Sequence, residues 1–101
     1  QPKLPKEDRA MMGLNKALLL VKMGRSMEAI TAFDAAIALE VSGIGSVIRE
    51  QKANFLHETG DSAASLEIYK SLMTVTDVNE EDRKRFKSNV QTLEKYLKQK
   101  K

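Results

Sequence analysis

The sequence predicts an all-α protein of about five helices, built from a repeated helix-turn-helix unit. Three observations carry this. The 101 residues include only five glycines and two prolines, and 5% are aromatic. No segment alternates apolar and polar residues as a half-buried strand would. A phrase near the start returns 36 residues later with its leucine, glycine and aromatic residue in place.

After a short tail (residues 1–5), Pro5 suits a helix start, where its missing N–H costs nothing. Glu7 and Asp8 then favour the positive end of the helix dipole. The first helix is expected from about Lys6 to Met23, with Gly24 ending it in the left-handed conformation. Ser26 is a candidate cap for the second helix, expected to run to about Val41. "SGIGS" (42–46) is the clearest break, and Ser46 is a candidate cap for a third helix from Val47 to Thr59. Gly60 ends that helix, and Asp61 or Ser62 caps a fourth that reaches about Val75. After a "TDVN" loop, Asn79 caps the fifth. Its acids come first and its lysines last, matching the dipole at both ends. Phe86, Val90, Leu93 and Leu97 form its single apolar stripe.

Composition bounds the function. Hydrophobic residues make up 42% and charged residues 31%, as in ordinary globular domains. With no cysteine there is no disulfide framework, cysteine-based zinc site or thiol nucleophile. No apolar run is long enough to cross a membrane, and no signal-peptide pattern is visible. The expectation is a soluble, intracellular chain that begins at Gln1 as a piece of a longer protein. Residues 1–79 carry 9 basic and 10 acidic side chains, whereas residues 80–101 carry 8 basic and 4 acidic. The net charge of +3 therefore belongs to the last helix.

The repeat aligns "KALLLVKMGRSMEAITAFDAAI" from Lys16 with "KANFLHETGDSAASLEIYKSLM" from Lys52. A helix-turn-helix unit at such a period is how a solenoid appears in sequence. The pattern resembles the tetratricopeptide repeat. The family's small residue in the first helix falls on Ala17 and Ala53, and its tyrosine position on Leu20 and Leu56. The alanine nine residues on is Ala29 and then Ser65, the aromatic is Phe33 and Tyr69, and the next small position is Ala36 but Leu72. The sequence departs from the pattern elsewhere. Gly13 and Arg49 stand at the tryptophan positions, Lys16 and Lys52 at the leucine positions, and Val41 at the proline. The repeat is 36 residues long where the family norm is about 34.

The resemblance implies a short right-handed superhelix of antiparallel helix pairs. It organises the chain as one domain: a first repeat over 6–41, a second over 46–75 and a capping helix over 79–101. The small faces at Ala29 and Ala36 would let the partner helix and the next repeat approach closely. The first helix is too apolar for a free end: Met11, Met12, Leu14, Leu18, Leu19, Leu20 and Val21 cover more than one face. Something is expected to pack there: an upstream repeat, a second copy or the folded-back tail.

No catalytic constellation is present, and neither enzyme activity nor a cofactor is expected. A metal at His57 would need Glu58 or Asp61 as further ligand, and a surface or groove histidine is the preferred reading. The serines sit where capping explains them. "SGIGS" lacks the lysine and the strand of a phosphate loop. The five methionines are read first as helix-core filling.

Tetratricopeptide proteins bind other proteins in a groove lined by their first helices. Carried across, that groove is Met11, Leu14, Leu18, Val21 and Lys22, then Val47, Glu50, Asn54, His57 and Glu58. Leu14 and Leu18 stand where some members hold a chaperone's terminal carboxylate, so that partner class is not expected. An amphipathic helix or apolar peptide fits better, unless the chain's own next helix buries these leucines. The alternative is an accessory binder of nucleic acid or an acidic partner. It would use Arg83, Lys84, Arg85 and Lys87, followed by Lys95, Lys98, Lys100 and Lys101. Nucleic acid is the less favoured partner, because a solvated capping helix explains the same charges. Self-association through the first helix is the third reading.

Overall fold

The computed structural model describes residues 4–99; residues 1–3 of the expected tail, with Lys100 and Lys101, lie outside them. Five helices occur among the described residues, and no strand. They are α1 (Lys6–Lys22), α2 (Ser26–Ile37), α3 (Ile44–Glu58), α4 (Ser62–Leu72) and α5 (Glu80–Gln99). None is long and apolar enough to cross a membrane. The contacts divide the chain into two units, one running to Ile48 and the other from Arg49.

In the first unit, α1 starts after Pro5, whose carbonyl accepts from the Arg9 N–H at 3.1 Å. Gly24 ends the helix with φ +75°. The Arg25 N–H reaches back to the Leu20 carbonyl at 2.9 Å, and Gly24 to Val21 at 3.1 Å, so both orphan carbonyls are satisfied. Ser26 does not cap α2: it is already helical, and Arg25 holds the cap position with no side-chain bond. The two helices then pack through small residues. Ala10 and Ala17 on α1 are buried, as are Ala29, Ala32 and Ala36 around Phe33 on α2. A Cβ on Gly13 would stand 2.9 Å from that of Ala36, a separation that real side chains do not adopt. The alanine face of α2 is therefore small because α1 comes that close.

The break between α2 and α3 lies earlier in the chain than expected. After Ile37 the bonds tighten, with Leu39 N–H to Ala36 at 3.2 Å and Glu40 to Ile37 at 2.9 Å. Glu40 then turns left-handed at φ +53°, so α2 ends four residues before Val41. Gly43, at φ +79°, completes the turn, and Gly45 and Ser46 fall inside α3. Ser46 is a buried helix residue and no cap.

The second unit repeats the turn of the first. Gly60 has φ +102°, the Asp61 N–H returns to Leu56 at 2.8 Å, and Gly60 returns to His57 at 3.1 Å. Asp61 caps α4 by accepting from the Ala64 N–H at 3.1 Å. That helix stops at Leu72, three residues before the expected end. Asn79 caps α5 by accepting from the Asp82 N–H at 2.8 Å. The interior is made of large side chains: Leu66, Tyr69 and Leu72 meet Phe86, Val90 and Leu93, with Ala53 of α3 and the partly buried Leu97. The expected stripe of α5 is the face it buries.

The repeat read in the sequence is also a repeat of environment. Ala17 and Ala53 are both 0% exposed, Leu20 and Leu56 both 8%, and Ala29 and Ser65 both 0%. Phe33 and Tyr69 are buried alike, as are Ala36 and Leu72.

Candidate functional site

Two clefts and one charged helix face are the candidate sites. The larger cleft lies in the first unit between α1 and α2, with a volume of about 530 Å³. Gly13, Ala32 and Ala35 leave room along it, and Lys16, Glu28 and Thr31 give it polar edges. Leu20 and Met27 also line it. Met27, in the first turn of α2, has 83% of its surface exposed, and Met12 and Leu19 of α1 and Met23 just after it are each more than half exposed. These thioethers and the leucine present flexible apolar surface to water. Core filling does not account for them: the buried hydrophobic residues of this unit are alanine, leucine, isoleucine and phenylalanine.

The groove residues inferred from the family divide differently. Leu14 is buried and belongs to the interior of its own unit. Leu18 and Val21 are half-buried, whereas Met11 and Lys22 are exposed. None of these five lines the larger cleft. The sequence signal that would have found it was the small residues Gly13, Ala32 and Ala35 on the two paired helices, with Met27 among them.

Val47 is exposed at the end of the first unit. Glu50, in the second unit, is engaged: Arg85 grips it in a fork, Nε to Oε2 at 2.7 Å and Nη2 to Oε1 at 2.9 Å. Arg85 also pairs with Asp82 at 2.9 Å and lies 5.5 Å over the ring of Phe86. The hydrogen bond to Glu50 raises the guanidinium pKa further above its already high value. Glu58 is exposed.

Asn54 and His57 come together in the second cleft, of about 100 Å³, which Ser65, Tyr69, Asn89, Thr92 and Leu93 complete. Tyr69 donates its hydroxyl hydrogen to Asn54 Oδ1 at 2.5 Å. Burial pushes the phenol up to about 12, with the charge of Glu50 adding to the effect and a hydrogen bond from Asn89 opposing it. The phenol therefore stays a donor at every physiological pH. His57 Nδ1 lies 2.7 Å from Ser62 Oγ, and its ring meets Tyr96 edge to face at 5.4 Å. Ser65 Oγ is fully buried and has no hydrogen-bond partner. An unpaired buried hydroxyl costs about 1–3 kcal/mol. Among the described residues no three carboxylate or imidazole groups cluster to hold a metal.

The basic residues of α5 do not act as one set. Arg83 is half-buried and donates to the carbonyls of Met73 at 3.1 Å and Val75 at 3.0 Å, closing the end of α4. Lys84, Lys87, Lys95 and Lys98 are exposed, and helical geometry puts them on one side, away from the buried stripe.

Comparison with known proteins gives no further assignment: no family model, no curated protein and no solved structure matches the chain significantly.

Proposed function

We propose that this chain is a non-enzymatic protein-interaction module of two divergent tetratricopeptide-like repeats and a closing helix. It forms a short solenoid that holds a peptide or a partner helix. The observation that carries the reading is the apolar surface left open on the first unit. Met27 lines a 530 Å³ cleft with small residues along it, and Met12, Leu19 and Met23 stand exposed in the same unit. An exposed apolar patch of this kind marks a contact surface in folded proteins. The matched burial of the two repeats supports the repeat reading. The proposed contact residues accordingly shift from Leu14 towards Leu19 and Met27, while Asn54 and His57 remain candidates in the second unit.

The second reading uses Lys84, Lys87, Lys95 and Lys98, whose shared side of α5 suits phosphates or an acidic partner. Affinity capture from native lysate, washed at low and at high salt, separates the two. A protein retained through high salt supports the apolar cleft. Nucleic acid retained only at low salt moves the function to α5, because counterion release makes phosphate contacts steeply salt-dependent. Recovery of the chain alone favours self-association.

A further inference from the structure

The outer side of α1 is apolar where a surface helix is ordinarily polar. Its buried side carries Ala10, Leu14 and Ala17. Helical geometry puts Met12, Leu19 and Met23 on the opposite side, and all three are exposed. One edge of this stripe carries a second pattern. Asp8, Asn15 and Lys22 follow one another at steps of seven, and each is exposed. A step of seven returns to the same side of a helix. The edge therefore runs from an acid through an amide to a base, with Asn15 at its middle. Read in the opposite direction along a second α1, it is its own complement. Asp8 meets Lys22, Asn15 meets Asn15, and Met12 comes level with Leu19. A parallel pairing would set Asp8 against Asp8 and Lys22 against Lys22.

We propose that the outer side of α1 is the seam of a two-fold dimer, in which α1 of a second copy of this chain lies antiparallel. A two-fold contact needs one patch that complements itself. The apolar stripe and its charged edge meet that condition, which a surface for a foreign helix does not require. Flanking charges of this kind set the orientation of paired helices. On the other edge Lys16 faces its own counterpart, and its long stem lets the ammonium turn to water. The proposal goes beyond the cleft reading. Gly13 and Leu20, which line the larger cleft, lie about a quarter turn from Met12. The dimer therefore takes Met12, Leu19 and Met23 and leaves the cleft, with Met27, to a peptide.

Sedimentation equilibrium of the purified chain over a dilution series tests this. The expected result is a mass that rises with concentration from one copy towards two. Leu19→Glu should abolish the rise. Asp8→Lys and Lys22→Asp each set like charges together at both ends of the seam, and each alone should weaken the dimer roughly three- to thirtyfold. Mixed in equal amounts, these two variants should recover the unaltered affinity. The introduced lysine then meets the introduced aspartate, and Lys22 of one copy meets Asp8 of the other. A charge change that merely loosened α1 would not be reversed by mixing. The proposal is overturned by a single-copy mass up to about 1 mM, by a dimer that Leu19→Glu leaves intact, or by a mixture no tighter than its two components. These runs contain no other protein, so a monomer here beside a partner captured from lysate removes the dimer and keeps the cleft reading.

Discussion

The two helix pairs share a turn and differ in what fills them. Gly24 and Gly60 both adopt positive φ, and the residues after them both return an N–H to a leucine carbonyl five positions back. Beyond the turn they part. The first pair closes on alanine, with Gly13 and Ala36 in near contact. The second holds Leu72 where the first has Ala36, Tyr69 where it has Phe33, and Ser65 where it has Ala29. A glycine and a buried leucine thus set the backbone, and the remaining positions set the spacing and polarity. The small filling leaves apolar residues of α1 and α2 outside, whereas the large filling carries a polar network inward.

Exchanging the fillings tests this most severely. Leu72→Ala should cost about 2–5 kcal/mol by emptying a well-packed position. Ala36→Leu should cost about 1–3 kcal/mol by overpacking against Gly13. Denaturant melts of both variants measure the pair, and a tolerated Ala36→Leu would show that the first pair is loosely closed.

The polar interior of the second pair predicts an alkaline weakness. The Tyr69 phenol ionises near 10 in the unfolded chain and is raised to about 12 in the fold. The protonated phenol is favoured by folding, so the stabilisation is complete below pH 10 and is lost as pH rises towards 12. The loss should be of order 2 kcal/mol. Melts of the Tyr96→Phe protein, with and without Tyr69→Phe, should show that slope only while Tyr69 is present.

The caps give a smaller, symmetrical test. Asp61→Ala should cost about 1 kcal/mol, and Arg25→Asp should gain a similar amount by giving α2 the cap that α4 has. Smallest is Ser65→Ala, expected neutral or stabilising by less than about 1 kcal/mol, because it removes an unpaired hydroxyl. A clear loss of stability in its thermal melt would mean that the hydroxyl is satisfied in solution.

Much of this was legible in the sequence. The five helices, the two helix-ending glycines, the caps at Asp61 and Asn79 and the buried stripe of α5 follow from local chemistry. Errors arose where local signals compete. Ser26 and Ser46 look like caps, but each helix starts earlier, and a non-glycine residue, Glu40, takes the left-handed turn that glycine usually marks. The candidate sites were less legible. Leu14 is as apolar as Leu19, yet one is buried and the other exposed, a distinction set by the facing helix. Arg83 counts as one more positive charge until it is seen closing α4. The small cleft depends on residues from α3, α4 and α5, whose meeting no local spacing announces.

The most direct measurement repeats the lysate capture at high salt with three forms of the chain: unaltered, Leu19→Glu with Met27→Glu, and Lys84→Glu with Lys87→Glu. All four substituted residues are exposed, so the fold should tolerate them. Retention of a partner protein by the first and third forms, with loss from the second, is the predicted result. Retention by the second form and loss from the third would contradict the apolar-cleft account and place the function on α5.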